Sequence, residues 1–116
     1  MELRLVGGYP SLFTRDGNDN VCLGVISKTD KLWLNSMGVL MNNAVSSSVS
    51  AVAATGVKIH FVDPSPTFSG HEECTSTPYL NGLDPINLAY SFHPNSDGQT
   101  LGYTSRFQAA VTSYVS

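Results

Sequence analysis

The chain has 116 residues, of which 41% are hydrophobic and only 13% are charged, and its formal net charge is −3. This length allows one small domain, and the composition excludes both a disordered chain and a coiled coil. The six basic residues are scattered and form no basic patch of the kind that binds nucleic acid. No apolar run is long enough to span a bilayer. The first residues lack the regions of a signal peptide, so any export signal is expected outside this sequence.

The first predicted element is a short β-strand at Leu3–Val6, which ends at two glycines. Residues 11–29 are polar and predict a long loop. A long helix is predicted from about Asp30 to Thr55, with Thr29 or Asp30 as its cap and Gly56 as its stop.

The apolar residues of this helix recur every three or four positions and predict one packed face. They are Leu34, Met37, Met41, Val45, Val49 and Val52. The two methionines are expected to fill the core. Because the stretch from Ala44 to Ala54 is nearly uncharged, the helix is expected to pack over much of its surface.

A second strand is predicted at Val57–Val62, directly after the helix, and residues 65–87 are predicted to form a loop. A last helix is expected from Asn95 or Ser96. Its apolar stripe is formed by Tyr103, Phe107, Ala110, Val111 and Tyr114. The pattern therefore indicates an α/β fold, but two strands do not make a stable open sheet alone, so we expect something else to complete the core.

The segment Ser91–Gln99 is the most informative for chemistry. His93 stands on a loop beside Pro94, and Asn95 can cap the helix that follows, so the imidazole is expected on a rigid support. Histidine titrates near neutral pH and is the commonest general base. The alternative is a structural histidine that bonds a loop carbonyl.

The other histidines favour structural roles. His60 lies inside the second strand, and His71 is expected to staple a loop beside Cys74. The spacing of the histidines and cysteines matches no metal site, and we predict neither a metal nor a cofactor. Counting alone allows one disulfide or two reduced thiols.

Several motifs follow one another in an order that points to a known family. They are Gly8-Tyr9-Pro10-Ser11-Leu12-Phe13, Asn42-Asn43 in the long helix, Val57 to Asp63, Phe68 to Cys74, and Ser91 to Gln99. Over nearly the whole chain, this order resembles the latter half of actinobacterial SGNH (GDSL-like) hydrolases. The resemblance implies a secreted protein, one apparently truncated domain over residues 1–116, and the C-terminal portion of a flavodoxin-like, three-layer α/β/α fold.

The resemblance also implies chemistry. In that family the histidine of this block activates a serine that attacks an ester carbonyl, which makes His93 the general base of an esterase or lipase. Many members carry Asp three residues before the histidine, where this chain has Tyr90. The Tyr90 carbonyl is therefore expected to orient His93, with Asp84 as a rival orienting acid. The cysteine positions favour a Cys22–Cys74 disulfide.

The nucleophile is not evident, because the Gly-Asp-Ser block, the oxyanion-hole glycine and the Gly-x-Asn-Asp block of the family are absent from the sequence. Ser11 and Ser69 are weak candidates. Three functions stay open: an ester hydrolase acting on an ester or lipid, a non-catalytic remnant or binding module, and a small secreted structural domain. We also expect a homo-oligomer, or association with a missing N-terminal half, because a half-domain exposes an apolar face and a strand edge.

Overall fold

The computed structural model describes residues 2–14, 26–82, 86 and 91–115. Over these residues the elements follow in chain order: β1 (Arg4–Gly7), α1 (Lys28–Ala53), β2 (Ile59–Val62), α2 (Ser65–Phe68), a π-helix (Gly98–Thr104) and α3 (Ser105–Val115). The chain is therefore mixed helix and strand, as the sequence predicted.

The two strands lie side by side in parallel, in a register that pairs Arg4 with Ile59 at one end and Gly7 with Val62 at the other. Both predicted strands are confirmed within two residues. Helix α1 connects them and completes a β-α-β crossover. Successive strand residues point to opposite faces of a sheet. His60 stacks on Tyr114 of α3, with ring centroids 3.6 Å apart, whereas its neighbour Ile59 lines a cavity with α1.

Helix α1 begins two residues earlier than the sequence predicted. Its N-cap is Ser27, whose hydroxyl accepts a hydrogen bond from the Asp30 amide at 3.1 Å, so neither Thr29 nor Asp30 serves as the cap. Serine competes well for this position because its side chain satisfies an amide that the helix leaves unpaired. The predicted stop is confirmed: Gly56 has a φ of 99°, a conformation that glycine adopts without steric cost.

The predicted packed face of α1 is wrong for three of its six residues. Val49 is buried, but Met37, Met41 and Val52 are exposed, so the two methionines do not fill the core. The face that packs against the rest of the chain carries polar residues, among them Asn35 and Asn42, whose side-chain amides bond loop backbone. Much of the remaining surface of α1 is exposed to solvent, since among the described helices and strands β2 alone packs extensively against it.

The predicted loop over residues 65–87 contains the short helix α2. Phe68 at its end is almost fully buried and packs edge-on against Tyr79 and Tyr103. The last helix begins at Ser96, as predicted, but its first turns widen into the π-helix. A Cβ atom at Gly102 would lie 2.5 Å from the Phe68 ring, so a glycine is needed where this helix crosses α2.

The buried hydrophobic side chains of the described residues form a small core: Phe13, Val49, Val62, Phe68 and Leu80. Three of them, Phe13, Phe68 and Leu80, belong to loops or to α2 rather than to long elements. The core therefore stabilises mainly the loop-rich end of the molecule, where the C-terminal ends of the parallel strands lie. Of the helices that the structure describes, none is long and apolar enough to cross a membrane.

Candidate active site around His93

The loop that carries His93 is held by backbone pairing with the segment Tyr79–Asn81. Leu80 and Pro94 form an antiparallel bridge. The His93 carbonyl accepts a hydrogen bond from the Asn81 amide at 2.7 Å, and the Asn81 carbonyl accepts one from the Phe92 amide at 2.9 Å. These two bonds, on the Asn81 side of the bridge, fix the backbone at His93.

Asn95 supports the same loop from its other end. Its Oδ1 accepts a hydrogen bond from the Gly98 amide at 2.9 Å, which confirms the predicted cap. Its Nδ2 donates to the Pro78 carbonyl at 2.8 Å, and its backbone amide donates to the Tyr79 carbonyl at 2.9 Å. One side chain thus ties the start of the last helix to the loop that precedes His93 in the sequence.

The residue directly before His93 has an uncommon backbone conformation. Phe92 has a φ of 63°, in the left-handed region that bulky residues rarely occupy. Its ring packs edge-on against Phe13, with centroids 6.0 Å apart, and its carbonyl accepts a hydrogen bond from the Tyr9 hydroxyl. Strain of this kind persists only where surrounding contacts impose it, and it occurs often at functional sites.

The His93 side chain is exposed to solvent, although its backbone is firmly held. The residues proposed to orient it, Tyr90 and Asp84, lie outside the described residues, so both orienting roles stay predictions. An exposed imidazole on a fixed backbone is accessible to an approaching hydroxyl, and a general base must come within hydrogen-bond reach of such a group.

The two weak nucleophile candidates lie beside one cavity of about 580 Å³. Ser11 and Ser69 line this cavity together with Phe13 and Phe68, whose side chains are buried. His93 is not among the described residues that line this cavity. The structure therefore brings the two serines together but does not join either of them to His93.

The other two histidines have structural contacts. His71 Nδ1 lies 2.7 Å from the Thr77 carbonyl, and its ring stacks on Tyr79 with centroids 3.8 Å apart. These contacts agree with the predicted role of His71, which is to hold its loop together. The His60 ring stacks on Tyr114, which fits a packing role. No cluster of three metal-ligating side chains occurs among residues 2–14, 26–82, 86 and 91–115.

The turn between His71 and Thr77 contains a buried acid, Glu73, and a cysteine, Cys74. Burial raises the pKa of the Glu73 carboxyl above its ordinary value, and the Glu73 amide donates to the Leu12 carbonyl at 2.8 Å. Cys74 has a φ of 70° and is not a free thiol. Cys22 lies outside the described residues, so its pairing with Cys74 stays a prediction.

Sequence reasoning missed the residues that hold these loops. Asn35 donates to the Phe13 carbonyl at 2.9 Å and accepts from the Phe13 amide at 3.1 Å. Asn42 makes the same pair of bonds with Tyr9. The signal was available, because Asn35, Asn42 and Val49 recur every seven residues and therefore share one face of α1.

Comparison with known proteins identifies the chain as a relative of streptomycete lipases and confirms the resemblance to part of an actinobacterial SGNH-like hydrolase. It is 30% identical to Lipase 1 of Streptomyces coelicolor over 99 residues, which cover 85% of this chain and 34% of that protein. It is 29% identical to a lipase of Streptomyces rimosus over 110 residues, which cover 92% of this chain and 37% of the relative. No protein-family profile matches the sequence.

Two solved structures share the fold. The extracellular lipase of Streptomyces rimosus superposes with a TM-score of 0.80 at 25% identity, over 93% of this chain and 42% of that one. Phospholipase A1 of Streptomyces albidoflavus superposes with a TM-score of 0.76 at 23% identity, over 90% of this chain and 41% of that one. The chain thus spans between 34% and 42% of the length of these relatives.

Proposed function

We propose that this chain is the histidine-bearing part of a carboxyl-ester hydrolase of the lipase or esterase type, with His93 as its general base. The observation that carries the proposal is the exposed imidazole of His93 on a backbone fixed by Asn81, Asn95 and Tyr9. The names of the relatives support the reaction class, because two are lipases and a structural neighbour is a phospholipase.

In the proposed reaction, a serine hydroxyl gives its proton to His93 as its oxygen attacks the ester carbonyl. The tetrahedral intermediate collapses, and His93 returns the proton to the departing alcohol. Water then attacks the acyl-serine and gives a proton to His93, and His93 returns that proton to the serine oxygen as the acid is released. The substrate class is an ester, with lipid esters favoured by the phospholipase and lipase relatives.

The orientation of His93 is assigned to the backbone carbonyl of Tyr90, with the carboxylate of Asp84 as the rival. A carbonyl that accepts a hydrogen bond from one ring nitrogen fixes the tautomer in which the other ring nitrogen can accept a proton. It stabilises the imidazolium less than a carboxylate does, so the two assignments differ in the expected basicity of His93.

The nucleophile in this proposal is a serine that reaches His93 once substrate binds. Ser11 and Ser69 are the candidates within the chain, and their shared cavity supports them as substrate-side residues. The same proposal includes a single domain over residues 1–116 that forms part of a three-layer α/β/α fold, export from the cell, and a Cys22–Cys74 disulfide. The extracellular relative supports export.

The experiment is covalent labelling with a fluorophosphonate: the oxygen of an activated serine displaces fluoride from phosphorus and becomes a phosphonate ester. We expect one adduct on the intact purified protein, and peptide mapping identifies the serine. The adduct is expected to disappear in His93→Ala and to persist in His60→Phe, which keeps an aromatic ring stacked on Tyr114.

Absence of an adduct on the unaltered protein would contradict the enzyme assignment. It would instead favour the second function, a non-catalytic binding module with the same fold. An adduct that survives His93→Ala would refute the role of His93 as the base.

A further inference from the structure

We propose that Tyr9 is the positioning residue for His93, an assignment that rests on the proposed role of His93 as general base. The Tyr9 hydroxyl donates a hydrogen bond to the carbonyl oxygen of Phe92, the residue directly before His93. That carbonyl belongs to the peptide group that also contains the His93 amide. Tyr9 therefore contacts one of the two peptide planes that flank His93, and rotation of that plane would reorient the imidazole.

Tyr9 is itself held against helix α1. Its amide donates to Oδ1 of Asn42 at 2.9 Å, and its carbonyl accepts from Nδ2 of Asn42 at 2.7 Å. Asn42 lies in the middle of a 26-residue helix, which is a rigid support. Hydrogen bonds thus connect α1 through Tyr9 to the backbone at His93, across three segments that are far apart in the sequence.

The left-handed conformation of Phe92 explains why such a contact is needed. A non-glycine residue at a φ of 63° tends to relax to a more favourable region unless both of its peptide groups are restrained. The Phe92 amide is restrained by the Asn81 carbonyl at 2.9 Å, and the Phe92 carbonyl is restrained by Tyr9. Loss of the Tyr9 hydroxyl removes the restraint on the Phe92 carbonyl.

The Tyr9 hydroxyl keeps its proton throughout the range in which an ester hydrolase works. Burial raises the pKa of Tyr9 above its ordinary value of 10.0. The hydroxyl is therefore a permanent donor to Phe92, and it carries no charge that would alter the basicity of His93 directly. Its influence on His93 passes through the position of the backbone.

A half-buried threonine provides the control. The Thr67 hydroxyl donates to the Gly102 carbonyl at 2.8 Å and to the Pro64 carbonyl at 3.0 Å. Thr67→Val thus removes a half-buried hydroxyl that bonds backbone, as Tyr9→Phe does, but the backbone that it bonds belongs to neither Tyr9 nor Phe92.

The test combines nuclear magnetic resonance with labelling. The chain has three histidines, so the imidazole C–H signal of His93 is readily assigned with His93→Asn. We expect Tyr9→Phe to shift this signal and to speed hydrogen exchange of the Phe92 amide about tenfold, the effect of losing one hydrogen bond. We expect Thr67→Val to change neither. Fluorophosphonate labelling is expected to slow by about tenfold in Tyr9→Phe for the same reason.

An unchanged His93 signal in Tyr9→Phe, or equal shifts in both variants, would overturn the assignment of Tyr9. The resonance comparison requires no catalytic activity. Absence of labelling in the unaltered protein would therefore refute the proposed function, and the His93 signal would still decide the role of Tyr9.

Discussion

Asn95 is bonded to Pro78 across the base of the His93 loop, with its Nδ2 atom 2.8 Å from the proline carbonyl oxygen. The Oδ1 atom of the same side chain caps the following helix through the Gly98 amide. The side-chain amide of Asn95 therefore joins two segments and caps a helix. These two functions can be separated by mutation, because a carboxylate retains the cap but lacks the donor.

For Asn95→Ala we expect a loss of about 2 kcal/mol in the free energy of unfolding, since both the cap and the interloop bond disappear. Asn95→Asp keeps the acceptor for the Gly98 amide and is expected to lose about half as much. Urea unfolding of the three proteins measures the difference. Equal losses in both variants would mean that the cap contributes nothing.

Gly98 is predicted to tolerate no side chain. A Cβ atom there would overlap the carbonyl oxygen of Tyr79, which is backbone and therefore cannot move aside cheaply. We expect Gly98→Ala to destabilise the protein by about 3 kcal/mol or more. Gly38 is the control: it lies inside α1, and a Cβ atom there meets nothing within 4 Å. Thermal unfolding should show Gly38→Ala stabilised by up to about 1 kcal/mol, and a stable Gly98→Ala protein would contradict this packing.

Glu73 makes the stability depend on pH. Because burial raises the pKa of its carboxyl, the folded state binds this proton more tightly than the unfolded state does. Its favourable contribution is complete below the ordinary value of 4.5 and is lost as the pH rises through the raised pKa.

Glu73→Gln is uncharged at every pH, so we expect it to melt a few degrees higher than the parent at pH 7 and to lose this advantage at pH 4. Melting curves across this range provide the measurement. Glu2→Gln removes the same charge from an exposed position and should show no such gain. An advantage of Glu73→Gln that persists at pH 4 would point to packing rather than ionisation.

Self-association remains a prediction, and the structure identifies the surface that favours it. An apolar stripe on α1 comprises Trp33, Met37, Leu40 and Met41, and Trp33 and Leu40 are 58% and 60% exposed. Contiguous apolar surface of this kind commonly marks an interface. We expect light scattering to detect a dimer or larger species, and Leu40→Glu to shift it toward monomer. Ser50→Glu, an exposed substitution on another face of α1, should not. A monomer at high concentration would refute the prediction.

The local features of the fold were predictable from the sequence, and the reason is that each depends on a few neighbouring residues. Both strands followed from short β-favouring runs, the end of α1 from Gly56, and the start of the last helix from Asn95. The start of α1 was placed two residues late because Ser27, Thr29 and Asp30 are all good capping residues.

The packing of α1 and the support of His93 were not predictable in this way. Apolar periodicity assumes that a helix buries its hydrophobic side, but Asn35 and Asn42 occupy the contact face of α1 because loop backbone needs hydrogen-bond partners. The contact between Tyr9 and Phe92 joins opposite ends of the chain. No local pattern encodes such a contact, and only the completed fold reveals it.

The parallel pairing of β1 with β2 has a consequence for how the chain reaches its native state. The first contact between the strands, which pairs Arg4 with Ile59, closes a loop of about 55 residues. The chain therefore loses the entropy of that loop before the contacts between the strands can stabilise it. Helix α1 shortens that loop once it has formed. Folding should therefore slow when α1 is weakened by a glycine or proline on its exposed side, even where the native contacts are left intact.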